Sequence, residues 1–161
     1  MLKAMQRRLQ GEREEGFTLI ELMVVVLIIA ILIAIAIPTF LGARQRAQNR
    51  AAQSSLRNAL TAAKTIYTDG QDYNQATAAA LQAVEPSLTF VAAGVASTGQ
   101  NDVSVASSPA APAAGTTFVA TALSASGTCY FIRDTITGGT VFGTQAICTG
   151  TNALAAAANG W

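Results

Sequence analysis

The sequence predicts an α+β fold in which a long N-terminal helix, first transmembrane and then amphipathic, packs against a small antiparallel β-sheet head. Three observations predict it. Leu22–Ile37 is an uninterrupted run of 16 apolar residues. Residues 40–67 then repeat apolar side chains at the helical period. After Asp69 the chain is rich in Gly, Thr, Ser, Asn and Ala, with apolar runs of strand length. The predicted segments are an apolar helix at 17–38, an amphipathic helix at 39–68 and a globular head at 69–161.

The composition excludes several classes of function. The 161 residues contain no histidine, so Ser-His-Asp and Cys-His catalytic sites and His-containing zinc sites are impossible. No pair of carboxylates and no glycine-rich phosphate loop stands out in the sequence, and a net charge of +1 argues against nucleic-acid binding. We therefore predict a protein that is not an enzyme and that uses neither a metal nor a cofactor.

The apolar helix has the length of a membrane span. Counted from Phe17 to Ile37 it holds 21 residues, and at about 1.5 Å per residue they cross the roughly 30 Å core of a bilayer. An ordinary anchor and a secretory signal cut after Ala36 both fit this pattern. Charge does not orient the span, because four basic residues lie on each side. These residues are Lys3, Arg7, Arg8 and Arg13 before it, and Arg44, Arg46, Arg50 and Arg57 after it.

One carboxylate, Glu21, lies near the start of the apolar helix. A charge in hydrocarbon costs several kcal/mol unless it is paired, so an ionisable residue at this depth predicts a functional role. The alternative is an interfacial carboxylate that reaches water at the membrane edge. The residues around Glu21 favour the first interpretation.

The segment Gly16-Phe17-Thr18-Leu19-Ile20-Glu21, followed by Leu22-Met23-Val24-Val25-Val26, resembles the prepilin signature of type IV pilins. The resemblance implies a leader at 1–16 that a membrane prepilin peptidase removes by cutting after Gly16. It also implies N-methylation of the new first residue, Phe17, and a role in assembly for Glu21. In a filament, Glu21 would pair with the N-terminal amine of a neighbouring subunit and so set the register between helices.

This resemblance implies a structural subunit, a major pilin, which waits in the inner membrane in contact with lipid and is then polymerised into a helical homo-oligomeric filament at the cell surface. Its implied partners are the prepilin peptidase, the inner-membrane pilus assembly platform and minor pilins. Adhesion, twitching motility and DNA uptake are the implied uses. Two alternatives stay open: a pseudopilin of a type II secretion system, and a surface binding domain exported by a conventional signal.

Pro38 and Gly42 are predicted to bend the long helix. Proline removes a backbone donor and clashes with the preceding turn, and Gly42 weakens the next turn. Pro38 also matches a helix-kinking proline that is common in type IV pilins. The alternative interpretation is that the transmembrane helix simply ends at Pro38.

The amphipathic helix carries an apolar stripe and a basic stripe. The apolar stripe, expected to hold the head, comprises Leu41, Ala52, Leu56, Ala59, Leu60, Ala63, Ile66 and Tyr67. The basic stripe comprises Arg46, Arg50, Arg57 and Lys64. It is either a solvated face or a surface that contacts the acidic head of an adjacent subunit. Lipid headgroups are a further candidate partner for Arg44 and Arg46.

The head is predicted to hold a short helix at Asn74–Val84, capped by Asn74, and up to five strands. The predicted strands are Ser87–Val91, Asp102–Ala106, Thr116–Leu123, Thr128–Arg133 and Thr140–Ile147, with turns that include 109–115 and Gly138–Gly139. In an exported chain the pair Cys129 and Cys148 predicts one disulfide, as is common in pilins; two buried thiols are the alternative. Trp161 either packs on the sheet or lies exposed.

Overall fold

The computed structural model describes residues 16–108 and 115–161. The predicted leader, apart from Gly16, and most of the predicted turn at 109–115 lie outside the described residues. The chain forms two compact units, Met1–Leu41 and Gly42–Trp161. In chain order, the elements are helix α1 (Leu19–Gly70), a 3-10 helix (Tyr73–Gln75), α2 (Ala78–Val84), β1 (Thr89–Val91), β2 (Asp102–Ser108), β3 (Thr117–Leu123), β4 (Cys129–Thr135), β5 (Gly139–Gln145) and α3 (Gly150–Ala155).

Helix α1 contains 52 residues, and Pro38 lies inside it. The helix therefore does not end at Pro38, and it extends two residues beyond the predicted end at Thr68. At its C-terminus Gln71, a non-glycine residue, adopts a left-handed φ of 53°, and its N–H donates to Tyr67 O at 2.7 Å. A Cβ at the preceding Gly70 would meet the end of the Gln75 side chain, which is flexible and would have to move aside.

The five strands form one sheet in the order β1-β2-β3-β4-β5. Strands β2 to β5 pair antiparallel, which confirms the predicted meander of the last three strands. The expectation of a wholly antiparallel sheet is wrong, because β1 pairs parallel to β2 with Thr89 opposite Asp102. The physical reason is the connection, since the loop 92–101 leads the chain back past β1 before β2 begins.

One local prediction in the head is also wrong. The single helix predicted at Asn74–Val84 is divided into the 3-10 helix and α2, with Asp72 and Thr77 as their caps in place of Asn74. Thr77 Oγ1 accepts from Ala80 N at 3.2 Å and so restarts the helix. The tail contains a further helix, α3, capped by Thr149.

The core of the second unit lies between α1 and one face of the sheet. The buried members of the predicted apolar stripe are all small or aliphatic: Ala52, Leu56, Ala59, Leu60 and Ala63. They pack with sheet residues that include Phe118, Ala120 and Ile132, while Ile66 and Tyr67 pack at the margin. Leu41, predicted on the same stripe, is instead 51% exposed. The opposite face of the sheet is covered by α3, whose Ala153 packs on Val119 and Phe131.

The disulfide between Cys129 and Cys148 is formed, with a Cα–Cα distance of 5.4 Å. It joins the first residue of β4 to the segment that follows β5. Both cysteines are buried, so the bond belongs to the interior of the head. Closing a loop of this length stabilises a fold by roughly 3 kcal/mol in the chain-entropy model.

Candidate processing and assembly site

The segment that would be cut, Gly16-Phe17, lies immediately before α1. Residues 16–18 have no regular secondary structure and are exposed, and the Phe17 side chain is 78% exposed. A Cβ at Gly16 would meet no atom of the described residues within 4 Å. Within that part of the chain, the Gly16–Phe17 peptide bond is exposed and packing leaves room for a side chain at position 16.

Thr18 and Glu21 form a capping box at the start of α1. Thr18 Oγ1 accepts from Glu21 N at 3.2 Å, and Glu21 Oε2 accepts from Thr18 N at 3.3 Å and from Thr18 Oγ1 at 3.0 Å. Two free donors of the first helical turn are thus satisfied reciprocally. The Thr-x-x-Glu spacing is a known sequence signal for a helix start, and it was not used in the sequence prediction.

The capping box orients the Glu21 carboxylate and leaves half of it available. The Thr18 backbone N and Oγ1 both donate to Oε2, and Oε1 accepts no hydrogen bond from the part of the chain that the structure describes. An amine approaching this helix end would therefore find one oxygen free. The arrangement can hold a carboxylate at a fixed axial position on the helix, where it can bind a cation.

The surface of α1 around this site is apolar and uncovered. Every Leu, Ile, Val and Met side chain from Leu19 to Ile37 is exposed, by 47% to 76%. Such a continuous apolar surface requires an apolar environment. Among the described residues, α1 is the one helix long and apolar enough to cross a membrane.

Next to Pro38, the Thr39 hydroxyl bonds back to two carbonyl groups of the preceding turn. Thr39 Oγ1 donates to Ile35 O at 3.2 Å and to Ala36 O at 2.9 Å. Back-bonding of this kind often bends a helix. A Cβ at Gly42 would make only an ordinary contact with the Arg46 guanidinium, at 3.5 Å. The predicted kink at Pro38 and Gly42 stays a prediction.

The basic stripe is not a uniform surface. Lys64 Nζ pairs with Asp134 Oδ1 of the same chain at 3.0 Å, and the Arg57 guanidinium lies 5.0 Å from the centre of the Trp161 ring. Arg46 and Arg50 are exposed, and neither makes an ion pair or ring contact within the described residues. A contact with an adjacent subunit therefore stays a prediction, and Arg46 and Arg50 are the members free to make it.

Asp134 joins three elements of the second unit through one buried carboxylate. Tyr73 Oη donates to its Oδ2 at 2.6 Å, Thr140 Oγ1 donates to its Oδ1, and Lys64 pairs with it from α1. Burial by itself raises the pKa of Asp134, but the hydrogen bonds from Thr140, Tyr73 and Lys64 outweigh it and lower the pKa below its ordinary value. Burial, together with the bond to Asp134, raises the pKa of Tyr73. Elements distant in sequence are thus held by an ionised carboxylate and a neutral phenol.

We expect the stability of the second unit to fall at both ends of the pH range. Asp134 binds a proton more readily in the unfolded chain than in the folded one. The stabilisation that ionised Asp134 provides is therefore present above pH about 4 and is lost as pH falls through the folded pKa. The raised pKa of Tyr73 has the opposite sign, so its contribution is lost above pH about 10. Urea unfolding in detergent micelles, at pH values that extend below about 4 and above about 10, measures both. Asp134→Asn should flatten the acid limb, and an unchanged acid limb in that variant would contradict the assignment.

Comparison with known families agrees with this geometry. Residues 13–37 match the family model described as the prokaryotic N-terminal methylation motif. No curated protein and no solved structure matches the chain. The matched segment contains Gly16, Phe17 and Glu21, and with the exposed apolar helix it defines a type IV pilin-like prepilin signal. The motif supports a pilin-like or pseudopilin-like prepilin, and together with the apolar helix it fits a membrane-anchored precursor.

Proposed function

We propose that this chain is the major structural subunit of a type IV pilus. In this proposal residues 1–16 are the leader, 17–38 the transmembrane and filament-core helix, 39–68 the stem helix and 69–161 the head. The match over residues 13–37 carries the proposal. The capping box adds to it, since Glu21 is oriented at the start of an exposed apolar helix.

Cleavage after Gly16 creates the partner that Glu21 lacks. The new α-amine of Phe17 is a cation beside the positive end of the helix dipole, where a cation is unfavourable in an isolated helix. Glu21 Oε1 of a neighbouring subunit offers it a counter-charge, while Oε2 stays bonded to Thr18. An unpaired charge costs free energy in a dry filament core. Pairing of the two charges therefore favours one axial position of each helix relative to the neighbouring helix. Apolar contacts along residues 19–37 then supply the cohesion.

The proposal assigns partners by stage. The precursor contacts membrane lipid through its apolar helix, with Arg44 and Arg46 near the headgroups. The prepilin peptidase cuts and methylates it, and the inner-membrane assembly platform polymerises it together with minor pilins. Arg46 and Arg50, free of partners within the described part of the chain, are the residues proposed to contact a neighbouring subunit. We further propose adhesion, twitching motility or DNA uptake as the use of the filament.

Mass spectrometry of the mature subunit tests the cleavage step. Co-expression with a prepilin peptidase should give a chain that begins at methylated Phe17, and Gly16→Leu should leave the uncut precursor in the membrane. Gly42→Ala is the matched control, because it also fills a glycine of the N-terminal region and meets only a flexible arginine. A mature start at Ile37 would refute the proposal in favour of a conventionally exported domain.

A pseudopilin of a type II secretion system is the second candidate. The matched segment contains only the N-terminal methylation motif, and pseudopilins share that motif with pilins. The two candidates differ in where the subunit accumulates. Electron microscopy of sheared cells should show surface filaments composed of this chain if it is a pilin. Filaments restricted to the periplasm would support the pseudopilin instead.

A further inference from the structure

The two outer strands of the sheet, β1 and β5, lack the usual protection of edge strands. Natural edges carry charged residues or proline that discourage pairing with another chain. β1 reads Thr-Phe-Val and β5 reads Gly-Thr-Val-Phe-Gly-Thr-Gln, so neither has a charge or a proline. At each edge two of the outward backbone groups are nevertheless occupied by side-chain or tail groups of the same chain.

At the β1 edge the occupant is the side chain of Gln82 from α2. Thr89 N donates inward to Asn101 O, so the backbone groups of Leu88 and Phe90 point to the other side. Gln82 Oε1 accepts from Phe90 N at 3.2 Å, and Gln82 Nε2 donates to Leu88 O at 2.6 Å. One side-chain amide thus makes the two bonds that a residue of an added parallel strand would make.

At the β5 edge the same two bonds come from the tail. Asn159 Oδ1 accepts from Thr144 N at 2.8 Å, and Gly160 N donates to Phe142 O at 3.0 Å. As at β1, the two bonded groups of the strand are a carbonyl, that of Phe142, and the N–H of the residue two positions later, Thr144. Gly143 makes this approach possible, because a Cβ there would meet Asn159 Oδ1 at 2.8 Å and the Phe131 ring at 2.5 Å.

Trp161 holds the tail at this edge. Gly160 adopts a left-handed φ of 75° and the chain turns, so that the indole Nε1 donates to Phe131 O at 3.0 Å. The ring packs edge-on against Phe142 at 4.6 Å and Tyr130 at 6.0 Å. The Arg57 guanidinium covers it from α1. These contacts resolve the two alternatives for Trp161 in favour of packing.

We propose that Gln82 and the segment Asn159–Trp161 are edge blocks that prevent the sheet of one subunit from pairing with the sheet of a second copy. At each edge one amide oxygen and one amide N–H make the two hydrogen bonds that a residue of an added strand would make. Both edges belong to strands that carry no charged residue. Contact between copies is thereby directed away from the sheet edges. This inference is independent of filament formation and is tested on the uncut precursor.

Hydrogen exchange of the full-length precursor in detergent micelles reports each block directly. Asn159→Ala should raise the exchange rate of the Thr144 amide by at least about tenfold, and Gln82→Ala should do the same for the Phe90 amide. Asn58→Ala, an exposed amide on α1, is the matched control and should change neither. The Ala120 amide in the central strand β3 verifies that each variant is folded.

Light scattering then tests the consequence. Asn159→Ala should associate with rising protein concentration, and protection of Thr144 should return as its edge pairs with another copy. Adding Thr144→Pro removes the N–H needed for pairing and should restore the single-copy state. Gln82→Ala repeats the test at the opposite edge. The proposal is overturned if both single variants stay unassociated at every concentration, or if Thr144→Pro does not reverse the association.

Discussion

Replacing Glu21 with Gln should reduce the yield of surface filaments by at least tenfold while leaving the start of α1 intact. Glutamine is also a capping-box residue, so its amide oxygen can keep the bonds from Thr18. It lacks the charge that would pair with the amine of Phe17, and an amine left unpaired in a dry core costs several kcal/mol. Filament yield in sheared fractions and the mass of the mature chain are the two measurements.

Thr18→Val is the matched variant, because it removes the hydroxyl and keeps the charge. It costs a helix cap, worth about 1 kcal/mol, and should lower the yield less than Glu21→Gln. The two variants therefore separate the orientation of the carboxylate from its charge. Normal filaments from Glu21→Gln would show that Glu21 acts only as a cap, and the proposed register contact would be wrong.

Replacing Asp134 with Ala should lower the free energy of unfolding of the second unit by about 2–4 kcal/mol. The substitution leaves the buried Tyr73 hydroxyl and the half-buried Thr140 hydroxyl without their acceptor, and hydrogen bonds to a charged group contribute about 1.5–3 kcal/mol. The Lys64 side chain is 50% exposed, so the loss of the ion pair itself adds little. Urea unfolding in micelles, followed by tyrosine fluorescence, measures the change.

Two controls make this prediction specific. Lys64→Met should cost only about 1 kcal/mol or less, because the exposed ammonium is screened by water. Glu85→Ala removes a carboxylate bonded to the neighbouring Ser87 and should change stability by less than about 0.5 kcal/mol. An Asp134→Ala effect no larger than that of Lys64→Met would contradict the central role of the buried carboxylate.

Several features were predictable because they depend on neighbouring residues. The apolar run predicted the exposed part of α1, and the short apolar runs after Asp69 predicted all five strands to within a few residues. The two cysteines predicted the disulfide. The motif at Gly16–Glu21 predicted the methylation match. The capping box between Thr18 and Glu21 was equally visible in the sequence, since it needs only two residues at a fixed spacing.

Other features depend on contacts between residues far apart in the chain. Lys64 was assigned to a uniform basic stripe, yet it pairs with Asp134, which follows it by 70 positions. The helix predicted from Asn74 was divided because Tyr73 N donates to Gly115 O and the ring is buried against Phe118. No local pattern contains these partners, so local propensity was overridden by packing.

The sequence by itself determined the long helix, its apolar surface and the signal at its start, because hydrophobicity, helical period and a short motif are properties of contiguous residues. Only the tertiary structure decided that β1 runs parallel to β2, that Asp134 joins the helix to the sheet, and that Gln82 and Asn159 close the sheet edges. Each of these rests on hydrogen bonds or an ion pair between residues of different elements, whose partners meet only when the second unit folds.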